Sequence, residues 1–85
     1  MKPWELTKGP QMVVTLYNMS PYNAHTIVQN SGRCDWSKAE RETIRGLVSS
    51  GHLTRAEKGA GWGVTLTGKG LSLACYVLHW MDENI

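Results

Sequence analysis

The chain has too few cysteines to be stapled and no apolar run long enough to be anchored. Two cysteines, Cys34 and Cys75, cannot build a disulfide framework, and reduced thiols suit a cytosolic protein. Cys75 falls in the apolar run of the last segment and reads as a small core residue. Cys34 sits in a polar turn, where Arg33 is the one neighbour that could act on its thiol. No stretch approaches the roughly 20 consecutive apolar residues a membrane helix needs, so no membrane partner is expected. The opening Met1-Lys2-Pro3-Trp4-Glu5-Leu6 has no apolar run behind it and does not read as a secretory leader. The expected location is cytoplasmic.

Patterns that carry chemistry are equally scarce. His25, His52 and His79 form no motif. Cys75 and His79, four residues apart on one helix face, are half of a zinc site, and no second pair of suitable spacing completes it. There is no nucleophile elbow and no carboxylate pair in register. The glycines from Lys58 to Gly63 suggest a phosphate cradle, but they lie between two strand-like runs, where a hairpin tip is the better account. The chain is therefore read as a non-enzyme without cofactor or metal. Internal repeats and low-complexity segments are also missing.

What is present fits one small domain. With 85 residues the chain has one modest core, since a domain of this size buries only about 60% of its unfolded surface. The net charge of +2 is uninformative, but its distribution is not. Between Arg33 and Lys69 lie seven basic residues against four acids, whereas the two ends together carry one net negative charge. A basic middle fits a nucleic-acid face on one side of a small domain, and a solvated charged face gives a similar pattern.

Residues 1–10 read as a lead-in. Gln11 to Met19 places Met12, Val13, Leu16, Tyr17 and Met19 at helical spacing, with enough β-branched residues to leave a strand open. Ser20-Pro21 reads as a helix start, Ser as N-cap and Pro at the first position. That helix would carry Ala24, Ile27 and Val28 inward and stop at Asn30-Ser31-Gly32. After the turn Arg33-Cys34-Asp35-Trp36, the sequence Ser37-Lys38-Ala39-Glu40 matches a capping box. The helix it opens turns Ile44, Leu47 and Val48 inward and ends at Ser50-Gly51. Two alternating runs, His52 to Glu57 and Trp62 to Thr67, flank a glycine-rich turn as a hairpin, with Trp62 packing the hairpin onto the core. Thr67 caps a last helix from Leu71 to about Asp82. Its two apolar stripes, Leu71/Ala74/Cys75/Leu78 and Leu73/Tyr76/Val77/Trp80, ask for more than one partner.

This order of elements resembles the winged helix-turn-helix superfamily. The stretch from Ile44 to Arg55 is similar to that family's passage from recognition helix into wing, and Gly61 to Ala74 to its exit into a closing helix. The resemblance implies an α+β, mostly α fold, with a three-helix core, a two-stranded wing and a C-terminal helix over residues 11–85. It also implies binding to double-stranded DNA and regulation of transcription, of the kind common in phages and mobile elements. Helix 37–50 would enter the major groove with Lys38, Arg41, Glu42 and Arg45 outward. Arg41 would address a base, Lys38 and Arg45 would meet phosphates, and Ser37 would add a phosphate at the helix start. The 52–67 hairpin would bring Arg55, Lys58 or both to the backbone or into the minor groove, with Gly59 and Gly61 permitting close approach. Helix 71–82 could pair with a second copy as a homodimer. Trp36 would lid the core or stack on Arg41. The competing expectation is a winged helix that docks on a host protein, suggested by the modest charge, the apolar last helix and four tryptophans.

Overall fold

The computed structural model describes residues 8–83, apart from the side chains of Lys58, Met81 and Glu83. In chain order the elements are α1 (Lys8–Met19), β1 (His25–Val28), α2 (Lys38–Ser49), β2 (Leu53–Lys58), β3 (Gly61–Leu66) and α3 (Gly68–Glu83). The fold is α+β and mostly helical, and its antiparallel sheet has the order β1-β3-β2. Residues 1–7 of the expected lead-in lie outside the described residues, while Lys8 to Pro10 belong to α1. Among the described residues no helix is long and apolar enough to cross a membrane.

The main departure from expectation comes at Ser20-Pro21. This pair ends α1 instead of starting a helix. The Ser20 amide donates to Leu16 O at 3.0 Å, completing the last turn of α1. Pro21 then has no amide to continue the ladder. The next element is a strand, not a helix. Ala24, Ile27 and Val28 fit helical spacing, but His25 and Ile27 alternate inward with Thr26 outward. Three consecutive residues, Thr26, Ile27 and Val28, are β-branched, which suits the pleat. Strand β1 then pairs with β3, His25 opposite Val64 and Thr26 opposite Gly63, with a bulge before Val28 opposite Trp62. The sheet thus has three strands where a two-stranded wing was expected, and the chain from 29 to 37 is a loop. Gly32 serves a turn there, its amide donating to Gln29 O at 2.9 Å.

Helix α2 starts as its capping box requires. Ser37 Oγ accepts the Glu40 amide at 3.1 Å, and Glu40 Oε1 accepts the Ser37 amide at 2.8 Å. It stops at Ser50, after which Gly51 takes a φ of +86°. The hairpin turn places Lys58 opposite Gly61. Its first central residue, Gly59, has a φ of +60°, as a type II′ connection needs. Gly61 answers a different need, since a Cβ there would strike the Val28 carbonyl of β1. The close approach it permits is that of a neighbouring strand, not of a ligand.

Helix α3 begins three residues earlier than expected, capped by Thr67, whose Oγ1 accepts the Gly70 amide at 3.2 Å. The same hydroxyl donates to Gly51 O at 2.5 Å, and Lys69 Nζ donates to Ser50 O at 2.8 Å. A cation on the carbonyl end of α2 complements the helix dipole. The core lies between the helices and one face of the sheet: Val13 and Leu16 from α1, Ile44 from α2, Ile27, Leu53 and Val64 from the strands. Each such side chain contributes about 1.5–3 kcal/mol by leaving water. Of the two apolar stripes of α3, Ala74 and Val77 are buried, one from each stripe. Cys75, expected in the core, is exposed beside Tyr76. Its Sγ lies 4.0 Å from the Tyr17 hydroxyl of α1, while Ala74 takes the buried position.

Candidate nucleic-acid interface

The solvent face of α2 carries Lys38, Glu42 and Arg45, all exposed. Lys38 and Arg45 are seven residues apart, which places them on one stripe two turns apart, about 10 Å along the axis. Opposite them Ile44 and Leu47 are buried. The amphipathic pattern of the sequence is therefore the one that orients this helix. Ser37 stands at its exposed N-terminus, with Oγ engaged as the cap.

Arg41 does not join that stripe. It is half-buried, and its Nη1 donates to Trp36 O at 2.9 Å and to Cys34 Sγ at 3.3 Å. The guanidinium ties the loop before α2 to the first turn of that helix. This differs from the outward, base-reading role expected for it. The reason is local: the turn just ahead of α2 sets the Cys34 thiol and the Trp36 carbonyl within reach of the guanidinium, which helical periodicity does not take into account. Trp36 packs against the core as a lid, and its Nε1 donates to Thr26 O on β1 at 3.3 Å. Arg41 thus meets the backbone of Trp36, not its ring.

The hairpin supplies the second half of the surface. The register sets Glu57 opposite Trp62 and Arg55 opposite Val64, so these side chains share the sheet face nearer α2. Arg55 bonds Glu57 Oε1 through Nε at 2.7 Å and holds its guanidinium carbon 4.7 Å from the centre of the Trp62 ring. Arg45 reaches the same ring from α2, at 6.0 Å. One half-buried indole therefore meets basic side chains from both elements. Both distances lie within the reach of cation–π attraction. Lys58 closes β2 at the turn; its side chain is outside the described set.

Local patterns single out Arg45, Arg55 and Trp62 separately, but not their meeting. The available signal was the two-residue turn, because Gly59-Ala60 fixes Glu57 against Trp62 and puts Arg55 on the diagonal. Arg45 needed the packing of α2 on β2, which no local pattern encodes.

Elsewhere the polar groups serve the fold. His25 is buried, with Nε2 against Ser20 O at 2.8 Å. His52 Nδ1 lies 2.7 Å from Ser50 Oγ, and burial, followed by the nearby Lys69 charge, pushes the ring below its ordinary value. Among the described residues no three His, Cys, Asp or Glu side chains gather as a metal would require. No protein-family model, curated protein or solved structure matches this chain.

Proposed function

We propose that the chain is a duplex-DNA-binding domain of winged-helix type, acting in the regulation of transcription. In this reading α2 lies in the major groove and the β2–β3 hairpin rests on the phosphate backbone. The carrying observation is that Arg45 of α2 and Arg55 of β2 meet on the Trp62 ring. Helix and hairpin thereby bring two arginines to one edge, with Lys38 nearer the start of α2 and the Glu42 and Glu57 carboxylates interspersed among them. The element order and the β1-β3-β2 sheet are compatible with a winged helix. Here the loop 29–37, tied by Arg41, takes the place of a helix ahead of the recognition helix. With Arg41 engaged in that loop, Lys38 and Arg45 are the α2 side chains assigned to DNA, with Ser37 at the helix start.

The test is titration of a labelled mixed-sequence duplex at several salt concentrations. With four to six phosphates neutralised, log K falls against log salt with a slope of roughly −4 to −5. Absence of binding at low ionic strength overturns the reading. A second reading, docking on a protein, draws on Tyr22 and Met19, which are 79% and 61% exposed. Met19 also borders an open cleft of about 510 Å³ lined by His25, Thr26, Asp35, Trp36 and Glu40. A stoichiometric protein complex that Tyr22→Ala abolishes, in a chain without duplex affinity, would favour it.

A further inference from the structure

Arg55 has two partners at once. Glu57 holds its guanidinium from one side at 2.7 Å, and the Trp62 ring supports it at 4.7 Å. Arg45 stands 6.0 Å from the same ring. The two guanidinium carbons are therefore within about 11 Å of each other, with an aromatic ring between or beneath them. Successive phosphates of one DNA strand advance about 3.4 Å along the axis. Two cations no farther apart than this can engage one phosphate together or two neighbouring phosphates of a strand.

We propose that Trp62 joins Arg45 and Arg55 into a single phosphodiester-binding unit, and that Glu57 occupies Arg55 until a phosphate displaces it. This inference deepens the duplex-binding reading and rests on it. Trp62 is a positioning residue: its ring limits the rotamers of both arginines, so less freedom is lost when a phosphate arrives. A guanidinium suits this role because its flat face lies on the ring while its N–H edge stays open to a phosphate. Glu57 is an intramolecular competitor. Its carboxylate takes the N–H group a phosphate oxygen would use, so binding includes the exchange of one anion for another on Arg55. Both partners of the ion pair are exposed, the Arg55 side chain at 51% and the Glu57 side chain at 66%, so the exchange requires no opening of the core.

The experiment measures affinity for the same duplex, and its salt slope, in six proteins: parent, E57Q, R45A, R55A, W62L and W62L/R55A. Circular dichroism confirms that each is folded, and W62M, which keeps a long apolar side chain without a ring, stands in if W62L is not. E57Q is expected to bind several-fold tighter, because its neutral amide competes less well for the guanidinium. R45A and R55A each flatten the slope by about 0.9. W62L weakens binding although no charge is removed, and adding R55A to it costs less than R55A does in the parent. If E57Q binds no tighter, or if R55A costs the same with and without the indole, the unit does not exist. Parent binding with a steep slope would then still uphold the duplex reading. Absence of parent binding would sink both.

Discussion

The Arg41 guanidinium donates to the Trp36 carbonyl at 2.9 Å, closing the loop before α2 onto that helix. A charged donor to a half-buried carbonyl contributes about 1.5–3 kcal/mol. Arg41→Ala is expected to destabilise the protein by that order, read from the midpoint of urea unfolding. Duplex affinity of the folded variant should fall less than for Arg45→Ala. A variant of unchanged stability but collapsed affinity would instead place Arg41 at the nucleic acid.

Ser37→Ala should cost about 1 kcal/mol, because the Glu40 amide loses its acceptor at the exposed helix start. Ser37→Asp keeps an acceptor and adds a negative charge at the positive end of the helix, so its stability stays within a few tenths of a kcal/mol of the parent. Equal losses in the two variants would show that the hydroxyl acts otherwise than as a cap.

Gly61→Ala tests the contact between strands. The new methyl would meet the Val28 carbonyl, which is backbone and can move only with β1. A loss of about 1–3 kcal/mol is expected, in the range for an overpacked site. Gly46→Ala is the control: nothing lies within 4 Å of a Cβ at Gly46, which sits inside α2. That change should stabilise by up to about 1 kcal/mol.

Stability should also respond to acid through His52. Burial, then the Lys69 charge, lowers its native pKa below the unfolded value of 6.5. The unfolded chain therefore binds the proton more readily. The contribution of this group is present above pH 6.5 and is lost as the pH falls through the lower native value. Thermal unfolding between about pH 7 and pH 5 should show a declining Tm, and His52→Asn should make that decline shallower. An identical slope in the variant would assign the effect to other groups.

The parts of the fold legible in sequence are those written in local chemistry. Ser37 and Glu40 announce α2 because a capping box is complete within four residues. The hairpin is announced by its glycines and alternation, and α3 by Thr67. Strand β1 was not legible because its hydrogen-bonding partners, Trp62 to Val64, lie more than 30 residues away. Ser-Pro can also either open a helix or close one. Of the site, the outward Lys38 and Arg45 follow from helical periodicity. Arg41 lies near the border between the two faces, and its direction is decided by a loop whose path depends on β1. The resting place of one side chain thus turns on a strand that no local pattern announces.

Strand β1 lies at the margin of the sheet, and the Trp36 indole is hydrogen-bonded to its Thr26 carbonyl. Margins of this kind are where identical chains add to one another. The indole is consequently a stopper as much as a lid: it occupies an acceptor that a second molecule would otherwise recruit. Its loss would be felt less in the melting of a dilute sample than in how much protein stays in solution when concentrated.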